Sequence, residues 1–333
     1  MNHLYIQKQG STLGFQKNRF VINAPQENET YVPLENIQNI TLFGNIQVTA
    51  HCIHNILSHE INLTFLSKNG EYIGRLESSK NININKQRLQ FQKSEDQKFK
   101  LEMSKKFIQG KIQNQKTVLQ RLNRKLTNDK LAKTIKDIQL IIKKIDNVQE
   151  TDKLMGLEGY TAKLYYKAIS DILPQEYKFD KRTKRPPKDP FNAMISFGYT
   201  LLHNQIYSII SAKGLNPYVA FLHSDRQNHP ALCSDIIEEF RAALIDTLSI
   251  HLINNQKITI DDFEYTKNAV YLKKDANKKF IEELEKRLNQ EVSYIADIPY
   301  KMNFKQIIEH QINLIIKSMN YNDTTLYKPM TIR

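Results

Sequence analysis

The chain has 333 residues, 40% of them hydrophobic and 25% charged, and its 48 Lys and Arg outnumber 35 Asp and Glu for a net charge of +13. That length accommodates two domains, each with its own core, and the composition is that of a soluble protein. The two cysteines, Cys52 and Cys233, lie far apart in no C-x-x-C, which excludes a disulfide framework or a thiolate zinc cage and suits a reducing compartment; with no signal pattern and no apolar run of about 18 residues, a cytoplasmic protein is expected.

The charge is unevenly placed. Residues 1 to 80 hold six basic and six acidic residues, so the whole excess lies beyond Lys80. A neutral first part joined to a basic second part suggests that the second handles a polyanion. A lysine-rich proteome gives the same bias.

The first 82 residues read as β structure. L-Y-I, F-V-I, Y-V-P-L, I-T-L-F, I-N-L-T-F-L and Y-I-G-R-L are β-branched and aromatic runs separated by turn material, a spacing that suits a small antiparallel sandwich. Val48 to Ser58 is the exception, with a helical apolar period. His51, His54 and His59 are read as ordinary residues, because no clustered carboxylate or cysteine accompanies them.

From about Lys86 the chain turns helical. Between Gln97 and Leu126 nine Lys or Arg accompany one acid, Glu102, on an approximate helical period. Such a segment is either a solvated basic face or a phosphate-contacting helix. A polar break at 146–149 leads into L-M-G-L-E-G-Y-T-A-K-L-Y-Y-K-A-I. Its Gly156 and Gly159 each cost a helix about 1 kcal/mol against Ala. Either a close approach to the backbone beside Glu158 or a packing contact explains them.

Lys178 to Pro190 carries three prolines and six basic residues and reads as a loop able to reach phosphates. Asp189-Pro190 then caps a helix in which small Ala193, Ser196 and Gly198 permit close packing. Gly-Leu-Asn-Pro at 214–217 ends it, and the apolar run Val219 to Leu222 delivers His223 into a polar loop. After Pro230, Asp235 to Arg241 reads as a new helix carrying Asp235, Glu238 and Glu239. An imidazole and carboxylates on one loop-helix unit can bind a divalent cation, although an ordinary loop and acidic helix has the same pattern.

Three stretches together resemble the CRISPR-associated integrase family, the endonuclease subunit of the machinery that inserts new spacers. They are G-x-E-G-x-x-A-x-x-Y-aromatic around Glu158, R-P-P-x-D-P-x-N-A-x-x-S-F-G-Y-x-L-L from Arg185, and G-L-x-P-x-x-x-F-L-H-x-D-R followed by D-x-x-E-E-F-R. The likeness extends through the tail Y-K-P-M-T-I-R, where the family often has Phe in place of Met330. It departs at Q-N-H-P-A-L-C-S, which leaves the site positions intact and assigns His229 no role.

The resemblance implies an α+β chain: an N-terminal β-sandwich, residues 1–82, that pairs into a homodimer, and a larger all-α catalytic and DNA-binding domain, residues 83–333. Glu158, His223 and Glu238 are its implied catalytic residues and ligands of one Mg²⁺ or Mn²⁺, with Asp235 the first substitute for Glu238. The basic loop and the helix after it offer a DNA-binding set, Lys181, Arg182, Lys184, Arg185 and Asn192, with Asn192 also a candidate support behind the site. The implied substrate is double-stranded DNA, with spacer precursor joined to the repeat array by 3′-hydroxyl transesterification. The implied partner is a small companion adaptation protein in a hetero-hexamer. A stand-alone metal-dependent repair nuclease and a non-catalytic dimeric DNA-binding scaffold are the alternatives.

Overall fold

The computed structural model describes residues 3–224, 226–295 and 298–333; Asp225, the aspartate of the F-L-H-S-D-R segment, lies outside them. Its contacts divide the chain into one unit of residues 1–82 and 200–208 and another of residues 83–199 and 209–333. The expected boundary near residue 82 is therefore interrupted by residues 200–208, which group with the first unit.

The first unit holds two four-stranded sheets. One orders β1 (His3–Ile6), β5 (Asn39–Phe43), β7 (Asn62–Leu66) and β8 (Tyr72–Leu76); the other orders β4 (Thr30–Pro33), β3 (Arg19–Asn23), β2 (Thr12–Gln16) and β6 (Gln47–Val48). Leu13 and Phe20 from one sheet share a core with Ile6, Ile40, Leu42 and Leu63 from the other and with Cys52 and Ile56. The last two come from helix α1 (Ala50–Ser58), capped by Thr49, whose hydroxyl accepts from the Cys52 N–H at 3.2 Å.

The sandwich is mixed, which corrects the antiparallel expectation. β1–β5, β5–β7 and β2–β6 are parallel. The α1 crossover between β5 and β7 has the length that parallel neighbours need. The strands β2, broken in pattern by Gly14, and β6, two residues long, escape a reading by apolar runs.

The second unit is built around the 30-residue helix α3 (Gln97–Leu126), which follows α2 (Ile84–Glu95) and packs against α4 (Asp129–Ile145), α5 (Thr151–Ile172) and α7 (Ala231–Phe240). Helix α6 (Pro190–Ala212) starts where expected, with Asp189 accepting from the Asn192 N–H at 2.8 Å and Pro190 in the first turn. Helix α7 begins four residues earlier than its acidic stretch suggested, directly after Pro230. A π-helical turn, Arg241–Asp246, joins it to α8 (Thr247–Asn254). Two small hairpins, β9 (Phe263–Tyr265) with β10 (Val270–Leu272) and β11 (Glu291–Val292) with β12 (Met302–Asn303), interrupt the all-helical expectation around α9 (Lys274–Leu288) and α10 (Phe304–Tyr321). Among the described residues, no helix is long and apolar enough to cross a membrane.

The basic helix α3 is an interior element rather than a continuous cationic surface. Phe99, Met103, Phe107, Ile108, Ile112 and Leu119 are buried, and so are Lys105, Lys111 and Lys116. Lys105 donates to Glu102 at 2.8 Å and Lys116 to the Gln139 Oε1 at 2.6 Å. Charges that a sequence displays as a stripe are here partly consumed by internal acceptors, as burial requires.

Candidate functional site

Helices α3, α5 and α7 bring Lys111, Glu158 and Glu238 together. The Lys111 ammonium is hydrogen-bonded to Oε1 of Glu158 and lies 2.7 Å from Oε2 of Glu238. That Glu238 oxygen is buried against the ammonium as its ion-pair partner. The other Glu238 oxygen is 3.2 Å from Nε of Arg241, one turn along, and that guanidinium also stands 4.4 Å from the Tyr199 ring centre. Burial pushes the Glu238 carboxyl up, but Arg241, Lys111 and His223 outweigh it and hold the group at about 2. The same carboxylates, against burial, raise the Lys111 ammonium above its ordinary value.

His223 is presented by Asp235 of α7. The Asp235 carboxylate, fully buried, accepts from the N–H groups of Phe221 at 2.8 Å and of Leu222 and His223 at 2.9 Å, and meets the His223 ring Nδ1 at 2.8 Å. A carboxylate so surrounded by donors accepts from the ring as well, which places the hydrogen on Nδ1 and leaves Nε2 as the free ring nitrogen. Burial lowers the imidazole pKa, yet Asp235 and Glu238 prevail and raise it above the ordinary value. Asp235 thus has both oxygens engaged and clamps the loop.

Glu239, the next residue, faces away from this group. It accepts from the Tyr327 hydroxyl at 2.5 Å and the Met330 N–H at 2.9 Å, and burial pushes it up to about 8 against both donors. Asn114 of α3 donates to the Glu239 and Met330 carbonyls at 2.7 and 2.9 Å. A Cβ at Gly110 would come within 2.7 Å of Pro329 and 2.9 Å of Glu239. Glycine there is what lets the tail and α7 close on α3 behind Glu238.

Oxygen donors with one imidazole suit Mg²⁺ or Mn²⁺ better than zinc, and the buried Glu238 carboxylate, held ionised, offers such an oxygen. As placed among the described residues, no three His, Cys, Asp or Glu side chains are already gathered to hold one. Lys111 supplies the positive charge between the two glutamates.

A sequence model described as CRISPR associated protein Cas1 matches residues 4–286. The chain belongs to this Cas1 family. It is 29% identical over 332 residues to the CRISPR-associated endonuclease Cas1 3 of Thermus thermophilus, covering 100% of this chain and 96% of that protein. A chain of a Cas6-RT-Cas1–Cas2 complex has a similar fold, with TM-score 0.87 and 24% identity; the match covers 100% of this chain but only 36% of that one. A casposase bound to integration product matches with TM-score 0.85 and 25% identity over 98% of this chain and 93% of the other.

In this Cas1-family chain the loop between α5 and α6 divides its cations. Lys181, Lys184 and Arg185 are exposed. Lys184, although exposed, has its ammonium pKa lowered, by partial desolvation first and then by Arg241. Arg182 turns inward, donating to the Thr183 carbonyl, to Asn192 Oδ1 at 2.8 Å and to Ser196 Oγ at 2.9 Å. Asn192 is 0% exposed and donates to Asp189 at 2.6 Å and the Lys181 carbonyl at 3.0 Å. Arg182 and Asn192 thus pin the loop through hydrogen bonds within the protein.

Sequence reasoning missed Lys111 and Arg241. It left open what Gly156 and Gly159 are for. A Cβ at either position would meet nothing within 4 Å, so no packing contact within the described residues explains them.

Proposed function

We propose that this chain is the metal-dependent endonuclease and integrase of CRISPR adaptation, joining the 3′ end of spacer DNA into the repeat array. The observation that carries this reading is the meeting of Glu158 and Glu238 on one ammonium, with Asp235 holding His223 in the tautomer that leaves Nε2 free. The relatives' names, an endonuclease and a casposase bound to integration product, support it.

In the reaction a 3′-hydroxyl oxygen bonds to a backbone phosphorus, the bond from phosphorus to the leaving 3′-oxygen breaks, and the attacker's proton ends on that oxygen. Glu158, His223 and Glu238 would hold a divalent ion, which would supply Lewis-acid stabilisation of the charge on the phosphoryl, attacking and leaving oxygens. Arg241 keeps Glu238 ionised, Asp235 fixes the imidazole, and the exposed cations of the α5–α6 loop hold the DNA backbone. A small Cas2-type companion and pairing of two copies through the β unit complete the proposed assembly; one fold neighbour is a chain of a Cas6-RT-Cas1–Cas2 complex. Half-site joining of a labelled duplex to repeat DNA tests the reading, since a stand-alone nuclease yields only cut strands.

Salt dependence tests the loop. The triple variant Lys181→Ala, Lys184→Ala, Arg185→Ala should reduce the slope of log affinity against log salt by about 2 to 3, at roughly 0.9 per phosphate contact. Arg182→Ala should lower thermal stability instead and leave the slope nearly unchanged. An unaltered slope in the triple variant assigns the loop a linker role only.

The glycines of α5 give an experiment with opposed signs. In this reading they leave the helix bare beside Glu158 so that DNA can approach, next to Tyr160, which is 56% exposed. Gly156→Ala and Gly159→Ala should each stabilise α5 by about 1 kcal/mol while strand transfer falls about tenfold or more through displaced substrate. Variants that gain stability and join DNA normally would show that nothing approaches there.

A further inference from the structure

Lys111 sits where a cation is wanted, and its backbone cannot withdraw. Phe107, Ile108 and Ile112 beside it are 0% exposed, and Asn114 ties the next turn to the Glu239 and Met330 carbonyls. Only the flexible four-carbon stem can move. Its ammonium spans both glutamates, hydrogen-bonded to Glu158 and 2.7 Å from Glu238. Arg241 remains on the other Glu238 oxygen and against Tyr199.

We propose that Lys111 is a displaceable internal cation that occupies the metal position between Glu158 and Glu238 until DNA phosphate arrives to receive it. The inference rests on the metal-site reading above. An ammonium and a divalent ion between the same two carboxylates repel each other, so one must leave. An ammonium displaced within a buried site is costly unless it finds another anion. The anion that the proposed reaction brings is a backbone phosphate. Metal and DNA therefore strengthen each other's binding, by the same factor in both directions. Without DNA, the site resists loading, which withholds the chemistry until substrate is present.

The experiment measures Mn²⁺ affinity of the full chain from the paramagnetic resonance of free Mn²⁺, with and without a duplex oligonucleotide. In the native protein the duplex should tighten Mn²⁺ binding about tenfold. Lys111→Met should show that tighter affinity already without DNA, and the duplex should add little. Lys111→Arg, which keeps the charge, should bind Mn²⁺ weakly without DNA, as should Lys167→Met, an exposed lysine of α5. If Lys111→Met does not fold, the native protein and Lys111→Arg still decide: a duplex that leaves native Mn²⁺ affinity unchanged, or an Arg variant that binds Mn²⁺ tightly alone, overturns the proposal. So does a folded Lys111→Met with native affinity and native DNA enhancement. Mn²⁺ binding that ignores Glu158→Ala and Glu238→Ala defeats the underlying metal reading as well, whereas binding lost in those variants and unaltered in Lys111→Met defeats this inference alone.

Discussion

Glu158→Ala, His223→Ala and Glu238→Ala should each lower Mg²⁺- or Mn²⁺-dependent strand transfer on the order of 10³-fold or more while duplex binding persists. Each removes one proposed donor and leaves the exposed Lys181, Lys184 and Arg185 in place. Donors to one ion act as a unit, so the Glu158→Ala, His223→Ala double variant should be little worse than either single one. Glu238→Gln keeps the side-chain volume against Arg241 and Lys111, and thereby separates loss of charge from loss of packing. His229→Ala is the comparison, because its imidazole meets Ser234 at 3.1 Å and stands with its ring centre 6.3 Å from that of His223; it should matter far less. Joining assays at saturating metal, paired with duplex-binding measurements, read these outcomes. Near-normal joining by Glu158→Ala would remove the first residue of the proposed site.

Asp235→Ala should be the most damaging substitution to stability near the site. It leaves three backbone N–H groups and the His223 ring N–H without their acceptor in a buried turn. Removing the charged member of such a network costs about 3 to 5 kcal/mol. Denaturant melts should show that loss, and the folded remainder should bind Mn²⁺ weakly because nothing fixes the free nitrogen of His223. A variant as stable as the native chain, with native metal affinity, would mean that the loop holds His223 without Asp235.

What the sequence displayed and what it concealed follow from range. Glu158, His223 and Glu238 each sit in a local pattern, a glycine-flanked helix, an apolar run into a polar loop and an acidic helix, which marks them as candidates, while their choice as one set rests on the family resemblance. Lys111 could not. It is one of nine cations along α3, and only the packing of α3 against α5 and α7 selects it. Asp235 was ambiguous for a related reason: helical spacing puts it near Glu238, but its four donors come from a loop whose path no spacing reveals. The α6 start was legible because Asp189 and Pro190 act locally. The strand β2 was not, because Gly14 breaks the apolar run and its identity as a strand depends on its pairing with β3.

The most direct measurement is anomalous scattering at the manganese edge from crystals of the protein with a duplex and Mn²⁺. The account predicts one ion bonded by Glu158, Glu238 and Nε2 of His223, with Lys111 moved off both carboxylates onto a phosphate. An ion elsewhere on the chain, or Lys111 still bridging Glu158 and Glu238 with duplex and Mn²⁺ both bound, would contradict it.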